Sequence, residues 1–217
     1  MRTVAIMQPY FIPYAGYFRL FAATDLFVIY DCVQFPRRGW VHRNQLTLTS
    51  GEKDWLTLPL KKAPQDVKIK DLAFATDVEE RFDEESLRFK AFQEDHPLLA
   101  TCLDFSSQPL AYITDLMQKS CRALGLHFST LYSSSLNIPE TVHAEDRILA
   151  ICEAVGATHY VNASGGRELY DATTFKKRGI SLAFLPEYKG SYNSILERLV
   201  FEKASDVAKE ICSQSKC

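Results

Sequence analysis

The sequence predicts an α/β fold with a mostly parallel, Rossmann-like sheet, flanking helices and one small antiparallel hairpin. Three observations carry this expectation. Residues 4–7 and 26–30 are short apolar runs. The second, Leu26-Phe27-Val28-Ile29-Tyr30, is continuous, as strands buried on both faces of a parallel sheet are. A helical stretch at residues 18–23 lies between the two runs, so the opening reads strand, loop, helix, strand, a βαβ unit. From residue 127 onward, strand-like and helix-like stretches alternate, again the pattern of a parallel sheet.

In chain order, Val4-Ala5-Ile6-Met7 ends at Gln8-Pro9, where proline stops the ladder. Phe18, Leu20, Phe21 and Ala22 give residues 18–23 their apolar surface, and Asp25 leads into the second strand. Residues 45–49 and 55–60 are strand-like runs around Ser50-Gly51-Glu52-Lys53, a spacing that predicts an antiparallel hairpin. Helical spacing covers residues 77–92 and 109–124, the latter closed by Gly125. Residues 127–132 form a strand ending at Ser133-Ser134-Ser135. The clearest amphipathic helix is 144–155, with Ile148, Leu149, Ile151, Cys152 and Val155 on one side and Gly156 at its end. Residues 158–161 are a strand, 162–166 a loop, 168–176 a short helix and 180–185 another strand. With no internal repeat or linker, one α/β domain over residues 1–217 is expected, with about 77–125 as a candidate helical subdomain.

The composition narrows the function. Basic residues number 25 and acidic residues 27, a formal charge of −2. Such a chain supplies no long-range field to gather duplex nucleic acid or an anionic membrane, so an anion must be held by a local cluster. No apolar stretch approaches the roughly 20 residues of a membrane helix, and the first apolar run is broken too soon for a signal peptide. The six cysteines are scattered without close spacing, as reduced thiols would be. A soluble, cytoplasmic protein without membrane insertion is expected. The five histidines lie far apart with no pair at zinc or iron spacing, so no metal is expected and no cofactor can be named.

The most unusual stretch is Gln8-Pro9-Tyr10-Phe11-Ile12-Pro13-Tyr14-Ala15-Gly16-Tyr17. Prolines fix φ and glycine permits close backbone approach, which specifies a rigid loop. Its tyrosines suit stacking on a base or sugar ring, and the following helix start suits a phosphate. A loop simply buried in the core is the alternative. After the second strand, Arg37, Arg38 and Arg43 surround Trp40, a pattern that suits a diphosphate attached to a ring, or else a solvated basic loop. Asp31 stands at the strand end and His42 is the histidine nearest Cys32; Asp31 or His42 is the candidate base. A buried or near-surface thiol is preferred to a nucleophile for Cys32. Asn162-Ala163-Ser164-Gly165-Gly166 ends a strand and offers backbone N–H groups to an anion, although a tight turn explains the glycines as well. Ser134 in the serine run is a further hydrogen-bonding candidate.

The motifs Gln8-Pro9-Tyr10, Pro13-Tyr14, Gly16-Tyr17-Phe18, Val33-Gln34-Phe35, Arg38-Gly39-Trp40 and Arg43-Asn44 resemble the opening of the WbqC-like protein family. Trp55-Leu56, Pro59-Leu60, Ser134-Ser135, Tyr160-Val161-Asn162, Gly165-Gly166 and Leu169-Tyr170 extend the resemblance over nearly the whole chain. Ser194-Ile195-Leu196-Glu197-Arg198 departs from it, since the family more often continues with serine, isoleucine and aspartate. The resemblance implies a place in bacterial surface-polysaccharide gene clusters, including O-antigen clusters. It also implies attachment of an acyl or aminoacyl group, glycine in some assignments, to the amino group of a sugar. The layout around Tyr14-Ala15-Gly16-Tyr17 is also similar to that of nucleotidyl-transferring enzymes with an H-x-G-H loop, both histidines being replaced by tyrosine.

Together these readings lead to a transferase acting on a nucleotide-linked amino sugar or other phosphorylated small molecule, with an acyl or aminoacyl donor. Arg38 and Arg43 are expected to hold the diphosphate. Tyr10, Tyr14 and Trp40 are expected to line the ring pocket. Gln8, Gly16, Tyr17, Gln34, Asn44, Ser134, Asn162, Gly165 and Gly166 complete the substrate-binding candidates. An ATP-dependent ligase and a non-catalytic sugar-nucleotide-binding protein are the rivals.

Overall fold

The first strand, β1 (Thr3–Met7), pairs in parallel with β2 (Leu26–Ile29), as the continuous apolar runs predict. The computed structural model, which describes residues 1–216, next shows the hairpin strands β3 (Arg43–Thr47) and β4 (Lys53–Thr57), an antiparallel pair separate from the main sheet. The strands β5 (Thr130–Tyr132), β6 (His159–Asn162) and β7 (Ser181–Phe184) complete a five-stranded parallel sheet of order β5-β2-β1-β6-β7. The chain builds from β1 to β2 to β5, then returns to place β6 on the other side of β1. The order therefore reverses between β1 and β6, where open α/β sheets leave a crevice at the carboxyl ends of their strands.

Alternate residues of β2 face opposite layers, and all four are buried. Leu26 and Val28 join Val4, Ile6 and Tyr160 under α5 (Ala144–Ala154), which contributes Ile148, Leu149, Ile151 and Cys152. Phe27 and Ile29 face the opposite layer. There Phe21 of α1 (Ala15–Ala23) stacks on Phe27 at 4.2 Å between ring centroids. Such a stack adds about 1 kcal/mol beyond the area it buries. The same layer holds α4 (Pro109–Ala123), through Tyr112, Leu116 and Met117.

Several elements differ from the sequence expectation, each for a visible reason. The helix expected over residues 77–92 stops early: α2 (Val78–Ser86) is followed by a separate 3-10 turn, Lys90–Gln93. Thr49 N–H donates to the Arg88 carbonyl at 2.9 Å and Leu48 bridges to Phe89, so the hairpin claims this backbone. Both hairpin strands begin two residues earlier than expected, and Arg43 and Asn44 thereby become strand residues. The expected helix over 168–176 is a 3-10 stretch, Ser164–Leu169, followed by α6 (Ala172–Lys177).

Three helices have no counterpart in the sequence reading: α3 (Pro97–Cys102), α7 (Ile195–Phe201) and α8 (Ala204–Ser213). The first two are too short to establish a period. A capping signal does mark α7, because Ser194 is followed by Glu197 three residues on. Ser194 Oγ accepts from Leu196 N–H, but Glu197 does not reach back to close the box. Its Oε1 instead accepts from Thr47 N–H at 2.7 Å, which fastens α7 to the hairpin.

Candidate functional site

A cavity of about 720 Å³ opens at the reversal between β1 and β6. Tyr10, Pro13 and Tyr14 from the loop after β1 form one wall, continued by Gly16 and Tyr17 in the first turn of α1. Ala163, Ser164 and Gly165, after β6, form the facing wall. The hairpin contributes Asn44, Gln45 and Lys53, while Trp40, Tyr192 and Asn193 close the rim.

The loop after β1 is held rigidly. Ile12 has φ 40°, a left-handed conformation that costs a β-branched residue about 1–3 kcal/mol. Buried partners keep it there. Asn44 Nδ2 donates to the Phe11 and Ile12 carbonyls at 3.1 and 2.7 Å, and Ser194 Oγ donates to the Ile12 carbonyl at 2.9 Å. Phe11 N–H donates to the Trp40 carbonyl and Ile195 N–H to the Pro13 carbonyl. The residues flanking this loop, the hairpin and the start of α7 thus define one preformed wall.

The cavity is aromatic and carries neutral hydrogen-bonding groups. Tyr14 stacks on Tyr192 at 5.1 Å, and Tyr10 lies against Tyr17 at 5.3 Å. Burial pushes the phenols of Tyr10, Tyr14 and Tyr17 above their ordinary range, so they remain protonated at neutral pH. Among the described residues Lys53 supplies the one cation in the lining, where its Nζ donates to Asn193 Oδ1. Behind it lies the buried Glu197, whose Oε2 is 4.0 Å from Lys53 Nζ; this is a charge contact too long for a hydrogen bond.

The structure brings seven of the sequence candidates to this cavity: Tyr10, Tyr14, Gly16, Tyr17, Trp40, Asn44 and Gly165. Gln8 stands behind them, where its carbonyl accepts from the Tyr17 hydroxyl at 2.7 Å. Asn162 and Gly166 lie under the loop after β6. Asn162 Oδ1 accepts from Ala163 N–H, and a Cβ on Gly166 would stand 2.6 Å from Asn162 Nδ2.

The remaining candidates are elsewhere. Asp31 is fully buried and accepts from Ser133 Oγ at 2.8 Å, from Ser134 N–H at 2.9 Å and from Ser134 Oγ. Cys32 sits beside them, with Sγ 3.0 Å from Ser133 Oγ and 3.1 Å from Arg147 Nη2. Gln34 Nε2 donates to the Gln65 carbonyl at the surface. Arg38 is exposed outside the cavity lining. Arg43 lies over Trp55, its guanidinium carbon 4.1 Å from the ring centroid, and donates to the Arg38 carbonyl at 2.8 Å.

His42 lines a second cavity of about 600 Å³, bounded by Trp55 and Thr57 of β4 together with Arg37, Lys61 and Lys62. Burial, and then the neighbouring Arg43 charge, hold its pKa down at about 4. Its ordinary value is 6.5, so the folded protein binds fewer protons at this site than the unfolded chain. The resulting stability is complete above pH about 6.5 and is lost as pH falls toward 4. The urea midpoint is therefore expected to fall more steeply across that window in the parent than in His42→Phe. Equal slopes would remove His42 from the pH dependence.

Lys53, Gln45, Tyr192 and Asn193 line the cavity although nothing in the sequence singled them out, while Ser164 belongs to the loop noted for Asn162, Gly165 and Gly166. Among the described residues no group of three or more His, Cys, Asp or Glu side chains is placed to hold a metal ion, and no helix is long and apolar enough to cross a membrane.

A five-stranded parallel sheet with a preformed aromatic cavity at its reversal point defines a Rossmann-like α/β protein. The chain belongs to the WbqC-like protein family, whose family model matches residues 8–204. It is also similar to an uncharacterized protein of Mycobacterium tuberculosis, Rv1507c, with 29% identity over 198 residues, covering 88% of this chain and 84% of that protein. No solved structure matches the chain significantly.

Proposed function

We propose that the chain is a cytoplasmic transferase of bacterial surface-polysaccharide assembly that holds a nucleotide-linked amino sugar in the cavity between β1 and β6 and joins an acyl or aminoacyl group to its nitrogen. The observation that carries this reading is the lining itself, with tyrosines and Trp40 for ring faces, Asn44, Gln45, Ser164 and Asn193 for hydroxyls, and Lys53 for a phosphate. Lys53 takes the charge role that the sequence reading gave to Arg38 and Arg43, because neither arginine lines the cavity. Asp31 and His42 also lie outside it, so the reading assigns amine deprotonation to neither. In the reaction the amine nitrogen bonds to the acyl carbon, the bond from that carbon to its carrier breaks, and the proton leaves with the released carrier.

The test is a thermal-shift screen of the purified protein against UDP-, GDP-, CMP- and dTDP-linked amino sugars, repeated with Lys53→Ala. A ligand at 100 times its dissociation constant adds about 2.7 kcal/mol, a readily measured shift. The expected result is a nucleotide-sugar response that weakens at least about tenfold in Lys53→Ala, in line with the loss of one charge-assisted hydrogen bond. No response to any nucleotide sugar would remove the reading.

A second reading has one observation in its favour. Tyr14 is the N-cap residue of α1 and Gly16 lies in its first turn, where an H-x-G-H loop would meet ATP. Pyrophosphate release from ATP in the presence of a carboxylic acid, with no response to nucleotide sugars, is the outcome that would favour it.

A further inference from the structure

We propose that the second cavity, between the hairpin, the loop after β4 and α2, binds an activated acyl donor whose carrier bears phosphate groups. This rests on the transferase reading and gives its second substrate a place.

The cavity has two chemical halves. Its floor is apolar, made by the buried Phe35, Leu58 and Leu72 with Val67 beside them. Its mouth is cationic, with Arg37, Lys61, Lys62 and Arg81 against the carboxylates of Glu84 and Glu85. Arg81 pairs with Asp77 at 3.6 Å, and Glu85 pairs with Arg88. The adjacent Lys61 and Lys62 thus stand as the main positive feature of the rim. Arg37 is fixed by donating to the Ala63 and Pro64 carbonyls at 2.6 and 2.7 Å, which holds the loop below these lysines. An apolar floor under a positive rim suits a ligand with an acyl part and an anionic head.

Position links this cavity to the first. Trp55 lines the second cavity and Trp40 the first, and their ring centroids are 5.1 Å apart. Arg43 covers the Trp55 face. The two cavities therefore share a wall of two indoles. His42 stands on the second-cavity side as a neutral ring, and its Nδ1 is buried without a hydrogen-bond partner. A neutral imidazole adds a polar contact without a competing charge.

The test uses isothermal titration of the full chain with acetyl-coenzyme A, acetyl phosphate and a sulfamoyl analogue of an aminoacyl adenylate, which separate the thioester, simple phosphate and adenylate sources. The variant is Lys61→Glu/Lys62→Glu, whose side chains are exposed and whose unfolding midpoint serves as the control for folding. One probe is expected to bind, to weaken with added salt, and to lose at least about tenfold in the double variant. Nucleotide-sugar affinity is expected to stay unchanged. Failure of all three probes at millimolar concentration, or equal binding by parent and variant, would overturn the proposal. Donor binding without any nucleotide-sugar binding would leave this site standing and sink the sugar reading alone, so the two failures are distinguishable.

Discussion

Asp31→Ala is expected to lower the unfolding free energy by about 2–3 kcal/mol, since it removes a buried side chain that accepts several hydrogen bonds. The carboxylate is fully buried and gathers Ser133 Oγ, Ser134 N–H and Ser134 Oγ at the carboxyl ends of β2 and β5. Its removal strands the buried Ser133 hydroxyl, while Ser134, which is exposed, can turn its donors to water. Asp31→Asn keeps the shape and one acceptor oxygen, and a loss nearer about 1–2 kcal/mol is expected. Urea unfolding of the three proteins measures both values. The asparagine variant is expected to retain nucleotide-sugar affinity, because Asp31 does not line the cavity. A loss below about 1 kcal/mol in the alanine variant would show that the serine cluster does not depend on this side chain.

Gly16→Ala is expected to have the largest effect on the cavity. A Cβ there would stand 2.2 Å from Tyr14 Cε2 and 2.8 Å from Tyr188 Cγ. Tyr188 is the more firmly held of the two rings, so Tyr14 is the one that gives way. Tyr14 stacks on Tyr192 and lies tilted against Tyr188 at 59° between ring planes, and the Tyr188 hydroxyl is bonded to Glu210. Glu210 in turn pairs with the buried Arg198 at 2.9 Å. Overpacking of this kind costs about 1–3 kcal/mol. The Tyr14 ring must move from its place in the cavity wall, so nucleotide-sugar affinity is expected to fall at least about tenfold. Parallel titration and unfolding measurements separate the two effects. An unchanged affinity would mean that the Tyr14 position does not shape the site.

The sheet was legible because its central strands are buried on both sides. Leu26-Phe27-Val28-Ile29 carries no polar interruption, and each side chain has an apolar layer to enter. The cavity loop was legible through its prolines, Gly16 and tyrosines, which constrain the backbone locally. Residues whose role depends on distant partners were not. Asp31 reads as a strand-end carboxylate, but the hydroxyl that claims it lies 102 residues away. Lys53 reads as part of a turn, and it meets Asn193, 140 residues on, only because α7 docks on the hairpin. The basic cluster shows the converse: adjacency in sequence did not set a common direction. Arg37 turns to the Ala63 and Pro64 carbonyls, Arg38 to solvent and Arg43 onto Trp55. Side-chain periodicity within strand β3 separates Arg43 from Asn44, which packs under Phe11 and Ile12.

The most direct measurement is a crystal structure of the protein soaked with the nucleotide-linked amino sugar that gives the largest thermal shift. Difference density is expected between Tyr10, Tyr14 and Trp40 on one side and Ser164 and Gly165 on the other, with a phosphate within hydrogen-bond reach of Lys53 Nζ. A ligand bound away from the crevice between β1 and β6, or an empty cavity in crystals that bind the ligand elsewhere, would contradict the assignment.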